Sequence, residues 1–92
     1  MFNIKIHKNF IKSFEKIDDD YKNNIFDFLE KLKNTNDLLK INGVKKLSGS
    51  KGFYRFRIGD YRIGFFVNKD NIDILVLKSR GDFYKTFPKN YL

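Results

Sequence analysis

The stretch FYRFRIGDYRIGFF, residues 53 to 66, decides the reading of this chain. Apolar and polar residues alternate on both sides of Gly59-Asp60, a pair expected of a two-residue hairpin loop. With that loop, Ile58 faces Tyr61, Phe56 faces Ile63 and Tyr54 faces Phe65, which makes one continuous apolar face. The same register sets Arg57 opposite Arg62 and Arg55 opposite Gly64. Like charges facing each other across strands destabilise a sheet by a few tenths to about 1 kcal/mol. Stability alone would have replaced one of them.

The choice of cation is equally pointed. The chain uses Lys 15 times and Arg 4 times, yet three of those arginines fall between residues 55 and 62. Guanidinium groups give permanently charged, bidentate contacts to phosphate, which Lys does not. Three of them converging beside Gly64, which leaves the surface open in this reading, suggest a phosphate cradle.

Outward from the hairpin, Asn68 to Asn71 reads as a second turn and Ile72 to Leu77 as a further strand. Its apolar character, broken only at Asp73, places it centrally, covered on both faces. Lys78, Ser79 and Arg80 follow it, then Tyr84 and Lys85, and a meander returns that end beside Arg62. The tail before Pro88 is expected to make a helical turn. Upstream, Asn34 to Gly52 carries Asn, Gly and Ser punctuation and reads mainly as a connection. Before it, Tyr21, Ile25, Phe28, Leu29 and Leu32 follow helical spacing behind Asp18-Asp19-Asp20, an acidic run that suits a helix start. Phe10, Phe14 and Ile17 trace a shorter helix, and Phe2, Ile4 and Ile6 alternate as a leading strand. The expected fold is one α+β domain over residues 1–92. A leading strand and an α-hairpin precede a three-stranded antiparallel meander, completing a four-stranded twisted sheet with the helices on one face.

Ninety-two residues with 41% hydrophobic content suit one modest core. The absence of Cys excludes disulfides and thiolate metal sites. No apolar run approaches the roughly 18 residues of a membrane span, and the first residues lack the apolar stretch of a signal peptide. A cytoplasmic protein without membrane contact is expected. Charge is segregated: residues 1–42 hold 8 Lys and 7 acidic groups, whereas residues 43–92 hold 11 basic and 4 acidic groups. A surface facing a polyanion follows, either nucleic acid or an acidic protein. His7 is the only histidine and has no partner near it in sequence. Asp18 to Asp20 lack the matched carboxylates or second His of a metal site, so neither a metal nor a cofactor is expected. No P-loop, nucleophile elbow or dinucleotide fingerprint is present.

Three segments together resemble the RelE/ParE toxin superfamily: Val44 to Gly49 (VKKLSG), Tyr54 to Ile63 (YRFRIGDYRI), and Val76-Leu77-Lys78 leading into Arg80 to Lys85 (RGDFYK). The resemblance implies a RelE-like fold and the toxin of a type II toxin–antitoxin pair, held in a hetero-oligomer by an acidic antitoxin. RelE-like members enter the ribosomal A site and cut mRNA there. The positions that match their working residues are Arg55, Arg57, Arg62, Lys78 and Tyr84. Lys45, Lys46, Lys51, Arg80 and Lys85 are the accompanying RNA-binding candidates. RNA brings its own nucleophile, the 2′-OH, so the protein need supply only proton transfer and charge stabilisation. Arg is always protonated and makes a poor base. Lys78 or Tyr84 is the candidate for moving the proton, since neighbouring cations favour its loss. The superfamily also includes the ParE branch, which inhibits DNA gyrase without cutting, and relatives that only bind RNA or an antitoxin.

Overall fold

A computed structural model describes residues 1–92. The Gly59-Asp60 turn joins β3 (Phe53–Ile58) to β4 (Tyr61–Asn68), with Gly59 at φ 56, as such a tight turn requires of one residue. The pairing has the register expected from the sequence, including Arg57 opposite Arg62 and Arg55 opposite Gly64. The second turn leads into β5 (Asn71–Ser79), which pairs antiparallel with β4. On its other side β5 pairs in parallel with β1 (Asn3–Ile6). Two strands beside it and apolar cover on both faces account for its hydrophobic run from Ile74 to Leu77.

The sheet has five strands, not four, in the order β1-β5-β4-β3-β2. The addition is β2 (Val44–Lys46), inside the segment that reads as a connection, paired antiparallel along the edge of β3. Three residues, two of them lysines, are too few to display a period of two. A short, Lys-bearing strand also suits an exposed sheet edge, which its charge protects from pairing with another chain.

The α-hairpin is α1 (Lys8–Phe14) and α2 (Asp19–Asn34), and Asp18 stands at the N-cap position of α2 without a side-chain capping hydrogen bond. Ile25, Phe28 and Leu32 recur at helical spacing and are buried against Ile63, Phe65, Ile72, Ile74 and Leu77 of the sheet. The Phe28 ring lies flat on Phe56, with centroids 3.8 Å apart. A third helix, α3 (Arg80–Thr86), departs from the expectation that all helices share one face. It follows β5 directly, and the Arg80 N–H donates to the Asp60 carbonyl of the hairpin turn at 2.8 Å. That bond folds α3 over the other face, where Phe83 and Phe87 bury against Phe53, Leu75 and Val76. A bulge in β5 makes this second core possible. One extra residue lies between Val76, opposite Gly64, and Ile74, opposite Phe65, so Leu75 and Val76 both serve this face. No helix is long and apolar enough to cross a membrane.

Candidate functional site

On the face covered by α3, side chains of β3, β4 and β5 stand in ranks. Nearest the hairpin turn, Arg57, Arg62 and Lys78 lie side by side. The next rank is Arg55, Gly64 and Val76, with Lys45 of β2 beside Arg55. The third is Phe53, Phe66 and Asp73. Successive ranks are about 7 Å apart, two residues of strand. The hairpin register therefore gathers five cations in two ranks, whereas the third has only Lys5, on the edge strand β1 beside Asp73.

These cations are held differently. Arg62 is only 7% exposed, so it does not lie on an open surface as its sequence position suggests. Its Nη1 donates to the carbonyls of Gly59 and Tyr61, both at 2.9 Å, while its buried Nε has no partner. Arg55 is half-buried, and its Nη1 donates to the Gly43 carbonyl at 2.7 Å. Lys78 donates from Nζ to the Thr86 hydroxyl at 2.8 Å, and that hydroxyl donates in turn to the Asp82 carbonyl. Arg57 is exposed and its guanidinium is unpaired. Backbone carbonyls and a hydroxyl thus fix three cations without neutralising them.

Gly64 also differs from its expected role. A Cβ there would stand 2.7 Å from the Phe87 ring, so the glycine is a seat for that ring and not an opening. Phe87 in turn anchors the end of α3, which carries Tyr84 to the two guanidiniums. Tyr84 is half-exposed, with its ring edge-on to the fully buried Phe83. Burial pushes its ionisation up, but the approach of the Arg62 and Arg55 guanidiniums and their charges outweigh burial. The phenol therefore ionises below its ordinary value of about 10.

The remaining candidates divide. Lys45 joins the site through β2, whereas Lys46 points to the opposite side of the same strand. Lys51 is exposed in the β2–β3 connection. Arg80 is exposed at the start of α3 and pairs with no acid. Lys85 lies 4.0 Å from Asp82 and shares a recess with Ser13 and Lys16 of the hairpin and with Lys78 at the end of the first rank; Arg55 does not line it. His7 does have a partner, Asp73, 66 residues away, with Nε2 3.1 Å from Oδ1. Reading the sequence missed Thr86 as the partner of Lys78 and Phe87 as the cover of Gly64. A glycine inside an apolar strand was the one available hint of a close approach.

A sheet with a helical hairpin on one face and an arginine-rich, Tyr-capped surface on the other defines a toxin of the RelE/ParE superfamily. The family model described as the ParE toxin of type II toxin–antitoxin system, parDE, matches residues 4–84, and the chain belongs to that family. It is 35% identical over 83 residues to the toxin RelE3 of Methanocaldococcus jannaschii, covering 88% of this chain and 93% of the relative. Its fold matches the toxin in the RelB–RelE antitoxin–toxin complex of Methanococcus jannaschii with a TM-score of 0.77 and 31% identity, covering 90% of this chain and 98% of that one. The archaeal RelE–RelB complex of Pyrococcus horikoshii gives a TM-score of 0.74 and 32% identity, covering 87% and 96%.

Proposed function

We propose that this toxin is a ribosome-dependent mRNA endonuclease whose work is done by Arg55, Arg57, Arg62, Lys78 and Tyr84. The observation that carries the reading is the meeting of Tyr84 with Arg55 and Arg62. A phenol drawn toward ionisation stands beside fixed cations, one of which keeps a buried N–H without a partner. In this reading the Tyr84 phenolate takes the proton of the 2′-OH, whose oxygen attacks the adjacent phosphorus. A 2′,3′-cyclic phosphate forms as the bond to the 5′ oxygen breaks, and the Lys78 ammonium supplies the proton that oxygen needs. Arg55, Arg57 and Arg62 stabilise the charge that builds on the phosphoryl oxygens. The matching family is named for ParE and the relatives for RelE. What favours cleavage over a gyrase poison is this pairing of a base with a charge cradle.

The test is single-turnover cleavage of A-site mRNA on programmed ribosomes at saturating toxin. Tyr84→Phe should slow cleavage by on the order of 10² to 10⁴, the usual contribution of a positioned base. The wild-type rate should rise with pH and level off below pH 10, because the folded phenol loses its proton below its ordinary value. The variant should lack that rise. Inhibition of gyrase supercoiling by a protein that never cuts RNA would instead favour the ParE-like reading.

The partner we propose is an antitoxin with an acidic segment laid over the ranks of cations or displacing the tail that carries Tyr84. Their affinity should weaken as salt rises, since exposed charges are screened within ~10 Å at 0.1 M. Complex formation indifferent to salt would place the contact elsewhere.

A further inference from the structure

The third rank of the sheet runs Phe53, Phe66 and Asp73, and its one cation is the exposed Lys5 of the edge strand β1, beside Asp73. With Leu75 and Tyr91 these residues line an open cavity of about 270 Å³. Phe53 and Leu75 form a buried floor, while Phe66 and Tyr91 are partly exposed walls. Asp73 is the one acidic side chain among the strand positions of this face. Its Oδ1 faces His7 Nε2, but its Oδ2 has no partner. An apolar aromatic cup with one unused anionic acceptor at its rim suits a flat ring with a polar edge. The cup lies one rank, about 7 Å, from Arg55 and Gly64, so a strand whose phosphates rest on the arginines passes its opening.

From this juxtaposition we infer that the cavity is a site for a single unpaired nucleobase of the RNA, beside the nucleotides held by the arginines. The inference rests on the proposed RNA-cleaving role of those arginines and adds a source of sequence preference to it. Phe66 and Tyr91 offer ring surfaces for stacking, which binds any base. Asp73 Oδ2 accepts from an exocyclic amino group, so adenine, cytosine and guanine are favoured over uracil, which has none. An apolar side chain of a protein partner would fill the cup equally well. RNA is favoured because the cup continues the ranks of cations on the same face and places its acceptor where a base presents donors.

The experiment is equilibrium binding of short fluorescent single-stranded RNAs, differing at one base, to the full chain, with ribosomal cleavage and antitoxin binding measured in parallel. Wild type should bind amino-bearing sequences on the order of 10-fold more tightly than the uracil sequence. Phe66→Leu, which keeps apolar volume and removes the ring, should weaken all of them by on the order of 10-fold. Asp73→Ala should erase the preference while leaving the uracil sequence bound at least as well, because an acid has gone from a cationic face. His7→Ala breaks the same tie between β1 and β5 and should keep the preference, which separates recognition from a structural role. If wild type binds no RNA or shows no preference, or if both cavity variants bind every sequence as wild type does, the inference is overturned. It is also overturned if Phe66→Leu and Asp73→Ala weaken only the antitoxin. If the preference and its loss appear while ribosomal mRNA stays intact, the nucleobase site stands and the nuclease reading falls.

Discussion

The two faces of the sheet solve different problems. Beneath the α-hairpin, the buried positions of β3 to β5 are all aliphatic or aromatic, and the core is continuous from Phe10 to Leu77. Beneath α3, five buried apolar residues share the face with Arg55, Arg57, Arg62 and Lys78. The same strands build both, because successive side chains point to opposite sides. A strand such as YRFRI can therefore carry stability on one side and unneutralised charge on the other. The first face can be weakened only through folding. The second sets like charges at facing strand positions, which the fold tolerates because the first face supplies most of the burial.

The comparison breaks most directly at Phe28. It is 1% exposed and stacks on Phe56, so Phe28→Ala should cost about 3–5 kcal/mol of folding stability. Against a typical ~5–15 kcal/mol for a whole domain, a large drop in Tm should appear in thermal melts. Any loss of activity should then follow the folded fraction. A Tm within a few degrees of wild type would show that the hairpin face is not the main source of stability.

Arg62→Ala tests the other face. Cleavage by the bound toxin should fall by on the order of 10² to 10³, the loss usual for one preorganised donor. Ribosome affinity should change little, since many Lys and Arg contacts share the electrostatic binding. The variant also leaves the carbonyls of Gly59 and Tyr61 without their donor, at a cost of about 1–3 kcal/mol in stability. Arg62 therefore belongs to both problems, and the catalytic role proposed for it is read only as a loss of rate in protein that is still folded. A wild-type rate in folded variant would reduce Arg62 to a brace for the turn.

Gly64→Ala sharpens the comparison further. The added methyl meets the Phe87 ring at 2.7 Å, and overpacking of this kind costs about 1–3 kcal/mol. The ring must move outward and the end of α3 with it, which withdraws Tyr84 from Arg55 and Arg62. Burial and those guanidiniums set the phenol's ionisation, and the guanidiniums prevail. Withdrawing them removes what lowers it, so the rising limb of the pH–rate profile should move to higher pH. An unmoved limb with an unmoved Tm would mean that the Phe87 contact positions nothing.

Legibility in the sequence divides along the same line. The hairpin register, the helical stripes and the place of β5 were readable because each rests on a local period of 2 or 3.6. Arg55, Arg57 and Arg62 were readable as a group for the same reason, since one register fixes all three. What β2, α3 and Phe87 do was not, because each depends on a contact made across the fold. Val44-Lys45-Lys46 is a strand only because β3 offers it an edge. Arg62 is buried only because α3 turns back toward Asp60, and nothing in YRIG announces that. The bond from Lys78 to Thr86 likewise exists only once α3 lies on the sheet.

The finest division is between two exposed lysines, both RNA-binding candidates by sequence. Lys45 stands beside Arg55 in the second rank, reached through a strand too short to be read. Lys85 lies 4.0 Å from Asp82 and shares a recess with Lys16 and Lys78, beyond the first rank on the side of the hairpin. If RNA runs along the second rank, over Arg55, Lys45 releases a counterion on binding and Lys85 does not. The slope of log affinity against log salt for single-stranded RNA should then become shallower by about 0.7 in Lys45→Ala, the value for one phosphate contact. In Lys85→Ala it should match wild type. Neither side chain is buried, so folding should be unaffected and the comparison needs no correction for stability. Equal slopes for both variants would mean that RNA spreads over the whole basic half of the chain. A change confined to Lys85→Ala would move its path off the ranks and onto the side of α3 that faces the hairpin.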